Sequence, residues 1–133
     1  MLPLFFIMAS AINIDLGLFI LRLALGVIFL YHGGMKLKAP GMMAKGLGWQ
    51  SWHVTLLGLV EVLGALSVVV GVYAPYGALL LALVMIGALY YKIAKWKIPF
   101  FAMDKMGWEF DLILLGASFA VFFGNVGAYA LLP

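Results

Sequence analysis

Residues 54–91 read VTLLGLVEVLGALSVVVGVYAPYGALLLALVMIGALYY, and only one charge, Glu61, interrupts them. A helix on the surface of a soluble protein keeps a polar face, whereas these residues are apolar nearly all round, as lipid-facing helices are. Pro75 divides the run, since its missing N–H costs nothing in the first turn of a helix. The reading is two helices, 54–74 and 76–91, joined by a turn at Tyr73–Pro75. So short a link makes them antiparallel neighbours. About 20 apolar residues carry a helix across the ~30 Å hydrocarbon layer. The second helix is short but gains length from Tyr90, Tyr91 and the apolar stem of Lys92.

Working outward, residues 16–36 and 109–131 are the other long apolar stretches. Asn13 and Asp15 are good N-cap types before the first stretch, and Ser51 before the second. Pro99 keeps the third and fourth stretches from merging. The expected fold is therefore all-α, an antiparallel four-helix bundle forming one integral membrane domain over residues 1–133. Composition agrees: the chain is 67% hydrophobic and 10% charged, with a mean hydropathy of +1.19. A soluble domain is nearer half apolar and a quarter charged, and 133 residues cannot hide the excess in their own core. Residues 2–8 are apolar and Ala9-Ser10-Ala11 loosely resembles a cleavage site, but no Lys or Arg precedes them. They read as an interfacial lead-in rather than a signal peptide.

All seven lysines lie in two connections, with Lys36, Lys38 and Lys45 after the first stretch and Lys92, Lys95, Lys97 and Lys105 after the third. By the positive-inside rule both connections face the cytoplasm and both termini lie outside, giving a multi-pass protein of the cell membrane. Trp49, Trp52, Trp96 and Trp108 sit in or beside the same connections, where an aromatic belt belongs. The net charge of +3 is too dispersed for a nucleic-acid footprint, and anionic lipid headgroups are the expected neighbours of the lysines. The chain has no cysteine, which excludes thiol–disulfide chemistry, Fe–S clusters and covalently attached haem. With two histidines and no cysteine, no metal site is expected. His32 and His53 differ in height by about one helical turn, which argues against a haem held between them.

Charges within membrane helices are costly and are functional candidates by default. Arg22 shares a helix face with Gly26, Phe29, His32, Gly33 and Lys36, and Glu61 shares one with Gly58, Gly64, Ala65, Val68 and Gly71. Small residues beside each charge permit close helix approach, so both faces should turn into the bundle. Counting ~1.5 Å per residue puts Arg22 and Glu61 about 9 Å apart in height, a gap an arginine can largely span. The expectation is a buried Arg22–Glu61 pair, functional or simply holding two helices in register, with His32 near the same space. His32 suits proton transfer or hydrogen bonding to a ligand, and equally a packing role. In the fourth stretch Asp111, Ser118 and Asn125 form a polar seam at a spacing of seven. Asp111 fits a proton path or, like Glu109, the positive end of a helix dipole.

With these residues in view, the chain resembles the DoxX family of small four-helix membrane proteins. LRLALGVIFLYHGGMKL carries the pattern through Arg22, Gly26, Gly33 and Lys36. GLVEVLGALSVVVGVYAPYGALLLALVM carries it through Glu61, Gly64 and Gly71. GWEFDLILLGASFAVFFGNVGAYAL carries it through Glu109, Gly124 and Gly127. The chain departs from the pattern where the family often has a proline between the closing glycines and an aspartate soon after. Its third connection is also unusually rich in lysine. The resemblance implies a membrane subunit linked to oxidoreduction, since relatives include the DoxD subunit associated with thiosulfate:quinone oxidoreduction. A family name does not by itself settle function. Three readings follow. In the first the chain is a subunit of a quinone-linked oxidoreductase complex, with Arg22, Glu61 and His32 as polar groups. Gly26, Gly33 and Gly64 then leave space, and Lys36 adds a charge to the quinone cavity. The second is a non-catalytic anchor or assembly subunit, associated with other protein subunits or with copies of itself. The third is a small proton or solute transporter, for which four short helices without a repeat or a broken helix are a weak basis.

Overall fold

The computed structural model describes residues 2–124 and 127–132. Helix α1, Leu2–Lys38, is 37 residues long. The expected caps Asn13 and Asp15 lie inside it, and Pro3 is tolerated in its first turn. Asp15 instead accepts a hydrogen bond from the Ala128 N–H, 3.1 Å away. The residue before a proline is biased out of the helix, and α1 ends just before Pro40. Pro40 opens a short helix, α2, Pro40–Leu47, which ends on left-handed Gly48. The sequence reading did not anticipate α2, although a proline at its start and a glycine just past its end are the usual punctuation.

Helix α3, Ser51–Val70, follows with Gln50 at the N-cap position, so Ser51 is its first residue rather than its cap. It ends on Gly71 at φ +75, and the N–H groups of Gly71 and Val72 both return to the Ser67 carbonyl. Glycine is required there twice over. Left-handed backbone is open to it without strain, and a Cβ would lie 2.6 Å from Arg22 Nη2 and 2.7 Å from Ala130 Cα. Helix α4, Ala74–Tyr90, starts with Pro75 in its first turn, as expected. A π-helical turn, Tyr91–Lys95, continues it, and an irregular segment then leads to α5, Trp108–Phe123.

The fourth apolar stretch was expected to be helical to residue 131, but α5 stops at Phe123. The remaining described chain, 127–132, lies back across the end of α3. Leu131 and Leu132 donate to the Val70 and Gly71 carbonyls, and Tyr73 donates to Leu132. Helix ends leave carbonyls unpaired, and this strap satisfies them. Among the described residues there is no strand, only an isolated bridge between Val72 and Leu132.

The helices pack in the cyclic order α1, α3, α4, α5, with the α1–α5 contact the slightest. Leu25 and Phe29 of α1, Ala65 and Val68 of α3, Ala78, Leu81 and Met85 of α4, and Leu114 and Val121 of α5 form the core. α1 and α3 approach at Gly33 and Gly58, where a Cβ on either would lie 3.0 Å from the other's carbonyl oxygen. Three helical segments, Ile14–Lys38, Ser51–Val70 and Ala74–Lys95, are long and apolar enough to cross a membrane. At 16 residues α5 is shorter, about 24 Å.

Candidate functional site: a charged cavity at the lysine-rich end

In an α-helix each Cα–Cβ bond tilts toward the N-terminus. α1 and α3 are antiparallel, so Lys36 leans from the lysine-rich end toward the middle of the bundle while Glu61 leans toward that end. The two meet: Lys36 Nζ lies 2.9 Å from Oε2 and 3.1 Å from Oε1 of Glu61. Glu61 is 2% exposed. Glu61 springs from a close approach of α1 and α3, where a Cβ on Gly33 would be 3.0 Å from Glu61 Cβ.

The same tilt corrects the expected Arg22–Glu61 pair. Arg22 leans toward the N-terminal end of α1, away from Glu61, and reaches the C-terminal carbonyls of α3. Its Nε donates to the Val68 oxygen at 2.8 Å and Nη2 to the Val69 oxygen at 3.2 Å, while Nη1 donates to the Tyr129 oxygen of the strap at 2.6 Å. A cation there also complements the negative end of the α3 dipole. Phe19 lies beneath the guanidinium at 5.7 Å. Arg22 is fully buried at the opposite end of the bundle from Glu61.

A second ion pair joins α5 to the end of α4. Lys92 Nζ lies 2.6 Å from Oδ2 of Asp111, which is buried. Asp111, not Glu109, faces inward from the first turn of α5. Lower on its seam, Ser118 returns its hydroxyl to the Leu114 carbonyl of its own helix at 2.8 Å, and Asn125 lies outside the described residues. His32 packs against Phe110 with ring centroids 6.0 Å apart. Lys36, Lys92 and Asp111 are near enough to act electrostatically on it.

Both ion pairs and His32 line one cavity of about 870 Å³, whose other walls are mainly apolar residues of α1, α3, α4 and α5. Met43, Gly46 and Leu47 of α2, with Trp49, Tyr91 and Trp96, border it at the lysine-rich end. Of the residues expected to line a cavity, His32, Lys36 and Glu61 do so. Arg22, Gly26, Gly33 and Gly64 do not. The glycines bring helices into contact rather than leave space, since Gly26 abuts Val69, Gly33 abuts Gly58, and Gly64 abuts Gly77 and Leu81. His53 stacks on Trp52 at 3.7 Å, away from this lining. Lys92 was missed as a site residue. Its signal was the first cation at the end of an apolar helix, with an acid opening the next one.

An all-helical chain with three such apolar helices and charges gathered inside is a helical membrane protein, and its surroundings are a lipid bilayer. Residues 17–93 match the family model for DoxX, and the chain belongs to the DoxX family. The match takes in Arg22, His32, Lys36, Glu61 and Lys92 and stops short of α5. No curated protein and no solved structure matches the chain.

Proposed function

We propose that this DoxX-family protein is a membrane subunit of a quinone-linked oxidoreductase complex, with the charged cavity receiving the quinone head. The cavity itself carries the reading. Its volume is in the range of small-molecule sites, and it combines apolar walls with a few convergent polar groups. A quinone head offers carbonyl acceptors, and Lys36, Lys92 and His32 are donors on the wall. Bound there, a quinone would supply the electron-accepting chemistry. The chain's part is to orient the carbonyls and to hold protons at Glu61, Asp111 and His32. Without cysteine, the chain depends on a partner subunit or substrate for electrons.

One observation favours a non-catalytic anchor instead: both buried acids are already matched by lysines of the same chain, as a purely bundle-holding role requires. Mass spectrometry of the protein purified in mild detergent separates the two. The expected result is a stoichiometric quinone in the wild type that is lost from a folded Glu61→Gln variant. Quinone in neither, with a poorly folded variant, would move the assignment to the anchor.

We further propose that the chain crosses the cell membrane four times. α5 begins beside Lys92, and Gly124 just after its end packs on Leu18 of α1, so it runs the length of the bundle. Both lysine connections then face the cytoplasm. A membrane-impermeant thiol reagent should leave Lys45→Cys unlabelled in intact cells and label it after lysis, and labelling before lysis would reverse the orientation.

A further inference from the structure

One helix pair carries both a tight crossing and an open cleft. α3 and α4 touch at Gly64 and Gly77, where a Cβ on Gly77 would lie 2.9 Å from the Gly64 oxygen. About three turns further along α4, Gly87 borders the cavity, and a Cβ on it would meet nothing within 4 Å. Between these points Leu57 and Val60 of α3 and Leu80, Leu83 and Val84 of α4 line the cavity. Leu80 and Leu83 are nevertheless 44% and 56% exposed. On α4, Leu80, Val84, Gly87 and Tyr91 form one stripe, turned by about 100° from the buried stripe of Leu81 and Met85. The cavity is therefore open sideways, between α3 and α4, in the apolar part of the bundle. On the opposite side the half-buried rings of His32 on α1 and Phe110 on α5 pack together, and the charged groups lie around them.

A polar wall facing an apolar lateral mouth suits a particular ligand shape. We infer that the α3–α4 cleft is a doorway to the bilayer hydrocarbon, and that the cavity takes a quinone with a long isoprenoid tail that stays in this cleft. The inference rests on the quinone reading and adds the route and the tail. A tail that never leaves lipid needs no aqueous path, and a polar head beyond it meets Lys36, Lys92 and His32 inside the cavity. The competing route runs from water past α2, Trp49 and Trp96, and it would make the tail irrelevant.

The test uses the protein reconstituted in phosphatidylcholine vesicles. It is titrated with a long-tailed isoprenoid ubiquinone and with the same benzoquinone head without its tail. Quenching of tryptophan fluorescence reports binding, since Trp49 and Trp96 line the cavity. Gly87→Phe places a ring in the cleft. Gly116→Phe, on α5 where an added Cβ also meets nothing, controls for bulk on a lipid-facing glycine. Wild type and Gly116→Phe should bind both probes. Gly87→Phe should lose about tenfold or more in affinity for the tailed quinone and keep tail-free binding within about twofold. Leu83→Phe, at an exposed position of the same cleft, replaces it should Gly87→Phe fail to fold. Equal loss for both probes, or loss for neither, overturns the doorway and leaves the quinone reading standing. A wild type that binds neither probe overturns both.

Discussion

Arg22→Ala should destabilise the protein by about 3 kcal/mol or more, because hydrogen bonds to a charged donor contribute about 1.5–3 kcal/mol each and are not additive. Arg22 ties together the end of α3, through Val68 and Val69, and the strap, through Tyr129. Truncation leaves these carbonyls without that donor and opens a cavity where the guanidinium was. Arg22→Lys keeps the charge but loses the planar fork, so it should recover less than half of the loss. Thermal unfolding in detergent measures the stability. Limited proteolysis of residues 127–132 measures the strap, which should be cut faster in Arg22→Ala. Unchanged melting together with an unchanged cleavage rate would show that the fork holds nothing.

The second large effect is at Glu61. Glu61→Ala leaves the Lys36 ammonium, whose side chain is 16% exposed, without its carboxylate. Removing one partner of a buried pair costs about 3–5 kcal/mol. The lower end is expected here, because Lys36 stands near the helix end and can shift toward the interface. Replacing both partners, with Glu61→Leu and Lys36→Met, removes the stranded charge and should return stability to within about 1 kcal/mol of wild type. A double-mutant cycle on melting measures the coupling. If the double variant is no more stable than Glu61→Ala, the pair is not what the single substitution disturbs. The same double variant should bind no quinone even when well folded, which separates the stabilising role of the pair from its proposed one.

The expected Arg22–Glu61 pair shows how much of the site was legible. The buried charges and the inward faces of α1 and α3 could be read from residue types alone, since a charge in a membrane helix has few other places to go. The partner could not be read from height alone, because the Cβ tilt sends Arg22 and Glu61 in opposite directions. Lys36 shared a face with Arg22 in the sequence, and the same tilt brings it to Glu61 instead. Lys92 and Asp111 were each visible as a charge at a helix end. Their meeting needed α5 to pack beside α4.

The glycines divide in the same way. Gly26, Gly33 and Gly64 could be read as places of close approach, and each is one. Taking them also as the walls of a cavity was wrong, because a glycine buried in a helix crossing removes space. The space lies instead beside Gly87, where an added Cβ would meet nothing and residues of α3 and α4 line the cavity.

By itself the sequence determined that this is a helical membrane protein, and that α3 and α4 form an antiparallel pair. Both follow from quantities that run along one chain: apolar length, scarcity of charge, and a proline four residues past a glycine. Only the tertiary structure decided which charges pair, that the strap closes the end of α3, and that a cavity lies among the helices at the lysine-rich end. These depend on how helices far apart in the chain are rotated and offset against one another. That arrangement is set by the sum of many side-chain contacts across the bundle, and no local stretch of sequence carries it.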